Sequence, residues 1–446
     1  MTPREPTAMQ GSGQSNPATS EAPAPHASRR YVVLAVLLVV YCLNYMDRQI
    51  LGILALPIKE ELKLTDTQLG LMGGLAFAIF YSVLGIPIAR LADRYHRVSI
   101  VSTALGLWSL CTALCGFANN FAQFFVARLC VGIGEAGGVA PTYSILSDYF
   151  PPHQRARVMA VLTLGLPLGS GLGLLIGGLL AAQYGWRSAF FVLGFGGLLV
   201  VPLTLLLVKE PPRGGAPTSA TQPAAARQSF ADVVRLMGVK RSFWLFSLGA
   251  ATASMLSYGL QFWLPAFVHR SLDLSFADTA LYLAIATIVG GVAGTLLGGW
   301  LSDRLGARHK AAYGWVPAVA FASAMPFLLA AMTIGSSWGI LMLLTVPLGM
   351  GLVWTGPTIG AIQNLAPPTM RATASALFLC IVNFIGLGLG TVLFGLLSDG
   401  LQAHFGSDAL RYSIITCAVV LYPLTIILFV LAGRHLHADG EPSDSR

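Results

Sequence analysis

The sequence predicts an all-α membrane protein with twelve transmembrane helices in two six-helix, pseudo-symmetric bundles. Three observations predict it. Of the 446 residues, 55% are hydrophobic and only 10% are charged, with a mean hydropathy of +0.70. Soluble domains carry roughly 25% charged residues, so this chain cannot cover a surface facing water. Twelve apolar stretches match the roughly 20 residues that a bilayer-crossing helix needs. Finally, the first six stretches repeat in the last six.

Taken in order, residues 1–30 are rich in Pro, Ser, Ala and Gly and read as a disordered cytoplasmic tail. The apolar run that follows Arg29–Arg30 is too long for a cleaved signal peptide. Spans near 31–57, 67–91, 98–118, 121–147, 157–183 and 188–208 make a first bundle over 31–208. A connector over 209–241 starts Pro/Ala-rich and becomes amphipathic at FADVVRLMGV, the pattern of a helix lying on a membrane face. Spans near 243–268, 278–301, 312–333, 338–362, 372–397 and 410–432 make a second bundle over 242–433, and 434–446 is a short cytoplasmic tail.

The net charge of +8 is distributed by topology. Basic residues gather after every second span, at Arg90, Arg94 and Arg97, at Arg155 and Arg157, in the connector, at Arg304, Arg308 and Lys310, and at Arg371 and Arg434. This is the positive-inside pattern, which places both termini in the cytoplasm and argues against a nucleic-acid partner. The six cysteines all fall within apolar spans without metal-ligand spacing, so neither a disulfide framework nor a metal site is expected.

The repeat is visible in two places. ARLADRYHR (89–97) leaves the second span and GWLSDRLGAR (299–308) leaves the eighth, with Asp93-Arg94 on Asp303-Arg304 at an offset of 210. SDYFPPHQRA (147–156) aligns with QNLAPPTMRA (363–372), placing Arg155 on Arg371 at an offset of 216. Six plus six spans in parallel repeat resembles the major facilitator superfamily over essentially the whole chain. The resemblance implies a cytoplasmic gate made of Asp93, Arg94, Arg97, Asp148, Asp303, Arg304 and Arg371. In it Asp93 faces the end of the eleventh span near Arg371, and Asp148 is poised for Arg97. A carboxylate is favoured at a helix N-terminus, which makes the arrangement physically sound. The copies differ: Asp148 has Asn364 as its repeat equivalent, and His96 stands where Gly306 keeps the motif glycine. The plainer reading of these arginines is topology alone.

Charges also occur where they are expensive. NYMDRQ (44–49) sits inside the first span, and ARLCVGIGEAGG (127–138) inside the fourth. An ionised group in mid-membrane costs about 2.5–3.5 kcal/mol even on lenient scales, so it marks a function or a pair. From the 1.5 Å rise per residue, Asp47 lies ~15 Å from the outer end of its helix, between Arg128 at ~10 Å and Glu135 at ~21 Å. Arg128 and Glu135, seven apart, share a helix face. In the superfamily plan both helices line a central cavity, so Asp47, Arg128 and Glu135 are expected to form a proton-coupling triad with one arginine serving two acids. Arg128 keeps its proton, whereas either acid can take one up when its cation leaves. The competing reading is an ion pair that only orients two helices. For Arg48, about 100° around the helix from Asp47, snorkelling or bracing is equally open.

The interiors of spans seven and eight offer no ionised residue before Asp303, but the second half does offer Trp263, Trp354, Phe378 and Phe384 with the polar Tyr258, Gln261, Thr355 and Asn383. The expected substrate cavity is Asp47, Arg48, Arg128 and Glu135 on one side and Tyr258, Gln261, Trp354 and Asn383 on the other. That division suits an amphiphile with a charged head and a greasy tail, although helix packing also accounts for each aromatic taken singly. NYMDRQILG, GIPIARLADRYHR and VGIGEAGGVAPTYSILSDYFPP resemble the Spinster family, with Asp47, Arg128 and Glu135 matching its membrane acids and arginine. The resemblance implies a bacterial homologue that moves lysophospholipids or sphingoid lipids across the inner membrane by proton-coupled alternating access, as a monomer whose partners are the lipid, protons and the bilayer. The NYMDRQ-like pattern also resembles organic-anion symporters, which keeps small organic anions or drugs as the alternative cargo. An enzyme is not expected: no histidine lies mid-span and HExxH is absent. No GxxxxGK[ST] loop is present either, and no cofactor is implied.

Overall fold

Inside a bilayer the backbone has no water to bond, so a chain this apolar must satisfy its amides within helices. The computed structural model describes residues 27–92, 94–211, 230–272, 274–306, 308–334, 336–367 and 370–439, and among these it contains helices and no strands. Eleven helical runs are long and apolar enough to cross a membrane. The last, Thr373–Leu436, folds back at a turn over Gly406–Asp408, where Gly406 takes a φ of +51°, so the described residues hold twelve runs of membrane-crossing length.

Span one is Ala27–Ile53, followed by a short helix, Ala55–Leu62. Span two runs as Asp66–Gly70, a wide turn at Leu71–Leu75, and Ala76–Ala92; span three is Arg97–Cys115. Span four is broken into Phe121–Glu135 and Val139–Tyr149; span five comprises Pro152–Thr163 and Gly165–Tyr184, and span six is Trp186–Leu207. After the connector helix Phe230–Val239 come span seven (Arg241–Leu272), span eight (Phe276–Gly306) and span nine (Ala312–Thr333). Span ten is broken into Ser337–Met350 and Thr355–Leu365. Span eleven comprises Arg371–Val382, a wide turn at Asn383–Leu387 and Gly388–Phe405, and span twelve is Ala409–Asp439.

The internal repeat reappears as geometry. The break in span four begins after Glu135 and that in span ten after Met350, and the 216 offset places Glu135 on Gly351. Arg155 Nε donates to the Phe150 carbonyl at 3.2 Å, and its equivalent Arg371 donates to Ala366 at 3.4 Å. Both arginines close the same turn. Most of the expected N-terminal tail and the front of the connector lie outside the described residues. At the other terminus the helix continues to Asp439 because this residue is anchored: its carboxylate accepts the Ser242 amide at 2.8 Å. The connector helix buries Val233 and Met237 against the bundle and leaves Val239 exposed.

Close helix approach positions span one. A Cβ on Gly169 would lie 2.4 Å from the Cys42 carbonyl and one on Gly173 2.7 Å from that of Met46. Only glycine permits span five to lie this close to the segment that carries Asp47. The first and last described residues lie at one end of the bundle, called here the terminal end: Tyr31 packs edge-on against Phe150, and Asp439 meets the start of span seven.

Candidate functional site

Span one is an α-helix, so residues 44 and 48 share a face while residue 47 points about 100° away from 48. The charged residues divide accordingly into two pairs. Arg48 Nε donates to Glu135 Oε2 at 2.8 Å, and Asn44 Nδ2 donates to the same oxygen at 2.8 Å. Asp47 faces spans three and four, where Thr112 Oγ1 donates to its Oδ2 and Arg128 NH1 approaches its Oδ1 at 3.4 Å. Asn44, Asp47, Arg128 and Glu135 are all buried, and Glu135 is fully so.

This differs from the expected triad. Glu135 takes its cation from Arg48 rather than Arg128, and Arg48 neither snorkels nor merely braces a neighbour. The reason is where span four stops. Glu135 is the last residue before the break at Ala136–Gly138, which sets its carboxylate against the Asn44/Arg48 face of span one. Three rings enclose the Arg48 guanidinium, with Phe77 and Tyr81 at 4.6 Å and Tyr45 at 5.0 Å from its centre. Such contacts contribute about 0.5–2 kcal/mol each, more where water is excluded. Phe77 is brought in by another bare glycine: a Cβ on Gly132 would lie 2.5 Å from the Phe77 carbonyl.

Polar capacity remains unused. Glu135 Oε1, Asn44 Oδ1, Arg48 NH2 and Arg128 Nε are buried and have no protein partner among the described residues. A cavity of about 30 Å³, room for one or two waters, touches Arg48 and Arg128 on one side and Tyr258, Gln261 and Phe262 on the other. Of the residues expected to form the cavity, Arg48, Arg128, Tyr258 and Gln261 line it, whereas Trp354 and Asn383 do not, and Asp47 and Glu135 lie behind the arginines they pair with. Trp354 instead ends the break in span ten, 7% exposed, and Asn383 opens the wide turn of span eleven. Trp263 is internal, donating its indole N–H to Thr391 O at 2.9 Å; Phe378 is buried and Phe384 is exposed. Asn44, Thr112 and the three-ring cage escaped the sequence reading. Asn44 carried a signal, being four residues before Arg48 in an otherwise apolar run.

At the distal end, opposite the terminal end, the halves are locked together. Asp399 of span eleven accepts the backbone amides of Asp66 and Thr67 at 3.0 and 2.8 Å and the Thr67 hydroxyl at 2.6 Å, capping the start of span two. Asp66, itself buried, receives Lys59 at 2.6 Å, Ser398 at 2.7 Å and Arg270 at 3.5 Å. Below it Thr391 donates to the Gly70 carbonyl at 2.7 Å, and Gln49 donates to that of Gln261 at 2.8 Å.

At the terminal end Arg97 is the hub. It donates to Asp148 at 2.5 Å, to Ser144 at 2.9 Å and to the Pro211 carbonyl at 3.0 Å. It also binds Glu210 at 2.7 Å, a partner no motif indicated. His96, in place of the motif glycine, caps span three, its ring Nδ1 accepting the Ser99 amide at 3.3 Å. Arg94 and Arg304 are exposed, the latter over the Trp300 ring. Asp93 and the side chain of Asp303 lie outside the described residues.

Burial opposes the charge on Glu210, but the Val98 amide and Arg97 overcome it and hold its carboxyl below the usual range. A depressed folded value means that Glu210 contributes stability above the ordinary glutamate range and loses it as pH falls through the depressed value. Glu210→Gln is therefore expected to lower stability by about 1–2 kcal/mol at pH 7 and to flatten the fall toward pH 4. Thermal melts of both proteins across that range measure it, and parallel curves would refute the assignment.

Comparison with known proteins agrees with this fold. A family profile described as Major Facilitator Superfamily matches residues 37–391. The chain belongs to the major facilitator superfamily. Within it, an MFS-type efflux pump of Mycolicibacterium smegmatis is 33% identical over 93% of this chain and 95% of its own. Protein spinster homolog 1 of Xenopus tropicalis is 30% identical over 88% of this chain and 79% of its own. The crystal structure of a bacterial homologue of the human lysosomal transporter Spinster, inward-facing and unoccupied, superposes with a TM-score of 0.84 at 29% identity, covering 94% of this chain and 99% of that one. Its occupied, inward-facing form gives 0.78. This chain is thus a multi-pass membrane transporter of the superfamily with Spinster-like relatives.

Proposed function

We propose that the protein is a proton-coupled secondary transporter that moves an amphiphilic lipid, of lysophospholipid or sphingoid type, by alternating access as a monomer. The observation that carries this reading is the pair of acid–arginine contacts, Asp47–Arg128 and Arg48–Glu135, buried side by side with unused polar atoms against a cavity whose far wall carries no charge. Each pair is neutral as it stands. A proton on either acid leaves an arginine without its counter-charge, and an anionic headgroup is the group that restores it. Binding of headgroup and proton are then linked through the same side chains.

The distal lock, together with the likeness to inward-facing structures, supports a state open toward the terminal end. In this reading the terminal end is cytoplasmic, the membrane is a bacterial inner membrane, and substrate entry requires the halves to widen a cavity that now holds no more than water. Each proton crossing down the membrane potential supplies about 2.3 kcal/mol per 100 mV. Drugs or small organic anions are the second reading, favoured by the relative named an efflux pump.

Lysophospholipid transport in proteoliposomes, with and without an imposed pH gradient, tests the proposal. The wild type is expected to respond to the gradient, and Asp47→Asn and Glu135→Gln each to abolish the response. If the wild type carries organic anions or drugs but no lysolipid, the second reading replaces the first. If both variants keep full coupling, neither acid carries the proton.

A further inference from the structure

We infer that the distal mouth holds a second binding site, for a phosphate-type oxyanion gathered by Lys59, Lys63 and Arg270, and that its occupant holds the distal end shut. The site is an open pocket of about 520 Å³, within the usual size of small-ligand sites. Lys59, Lys63, His269 and Arg270 line it, and Glu60 is the one acid among its lining residues.

The basic groups have donors to offer. Lys59 gives one of its N–H groups to Asp66 at 2.6 Å. Arg270 reaches Asp66 only through NH2, at 3.5 Å, beyond a well-formed hydrogen bond, which leaves its other guanidinium donors available. Lys63 has no ion pair among the described residues. It also adopts a left-handed backbone, φ 52°, uncommon for a residue other than glycine, as the chain turns from the short helix toward span two. One wall is fixed: His269 Nδ1 lies 2.6 Å from the Leu274 carbonyl and its ring stacks on Phe276 at 4.2 Å. Three cations lining one pocket from separate backbone positions match a tetrahedral oxyanion, with charge shared over several oxygens, better than a planar carboxylate.

The sign of the effect follows from who supplies the residues. Lys59 and Lys63 belong to the first half and Arg270 to the second, so the pocket is complete only while the halves meet at the distal end. A ligand that binds only one of two states shifts the equilibrium toward it by a factor of 1 + [L]/Kd. An oxyanion bridging these cations therefore reinforces the Asp66–Asp399 lock and slows distal opening. This holds whatever the cargo is. The same chemistry is carried by free phosphate on the distal side and by the monoester headgroup of a lipid in that leaflet.

The test uses the full chain in nanodiscs and hydrogen exchange, read by mass spectrometry, at residues 66–70, where Asp399 protects two amides. One arm adds inorganic phosphate to phosphatidylcholine discs at ionic strength matched with chloride. The other compares discs containing phosphatidic acid with discs containing phosphatidylglycerol. At tenfold the Kd, exchange at 66–70 is expected to slow about tenfold in at least one arm, since opening limits exchange. The arm that responds names the source. Lys63→Gln, which removes no contact of Asp66, is expected to lose most of the slowing, and Lys63→Arg to keep it. No slowing beyond chloride in either arm, or full slowing in Lys63→Gln, overturns the inference.

Discussion

Replacing Arg48 with leucine is expected to destabilise the protein by about 3–5 kcal/mol, while Arg48→Leu combined with Glu135→Leu recovers most of that loss without recovering coupled transport. The asymmetry follows from burial. Glu135 is fully buried and its Oε2 is held by Arg48 and Asn44, so deleting the cation strands a buried carboxylate with Asn44 as its remaining partner. Deleting both charges removes the stranded group, and the leucines fill the space among Tyr45, Phe77 and Tyr81. Unfolding of the three proteins in the same nanodiscs, alongside transport, measures both effects. A third variant sharpens the result: Arg128→Leu strands Asp47, which retains Thr112 but no cation, and should cost a similar amount. If Arg48→Leu proves neutral while Arg128→Leu is severe, one arginine serves both acids and the two-pair arrangement fails.

That comparison also marks the boundary between what the sequence discloses and what it conceals. The twelve spans were legible because span length and apolar composition are local properties. The repeat was legible because its two gate motifs and its paired prolines keep their spacing, and it returns in three dimensions at Glu135 and Gly351. The buried charges stood out because a charge in hydrocarbon is costly and therefore rare. Their pairing did not, since Asp47 and Arg48 are neighbours in sequence and only the break after Glu135 decides which of them that acid meets. Trp354 and Asn383 are polar-tipped residues on the right spans, but they sit at the break of span ten and the wide turn of span eleven, and neither lines the cavity. Glu210 and the distal lock were hidden for the opposite reason to the buried charges: acids near helix ends are ordinary, and nothing in the chain says that Asp66 and Asp399, 333 residues apart, share a helix start.

Asp399→Asn is expected to raise the fraction of molecules open at the distal end by about 10–100-fold. The carboxylate makes three bonds to the start of span two, two of them to backbone amides where the helix dipole favours negative charge. An asparagine keeps one acceptor and turns an NH₂ group toward donors, which costs about 1.5–3 kcal/mol, and 1.4 kcal/mol is a factor of ten. Gln261→Cys, placed in the cavity wall, reports the change through a membrane-impermeant thiol reagent applied from the distal side. The cysteine should label slowly in the native background and at least about tenfold faster with Asp399→Asn. Asp408→Asn is the control, because its exposed pair with Arg411 stays within the second half and spans no interface. Transport should fall in Asp399→Asn even though the substitution lies far from Asp47 and Glu135, since a protein that rests distally open returns to the terminal-open state too seldom. Unchanged labelling would mean that Thr391–Gly70 and Gln49–Gln261 hold the halves without the carboxylate, and would move the lock from the helix cap to those deeper contacts.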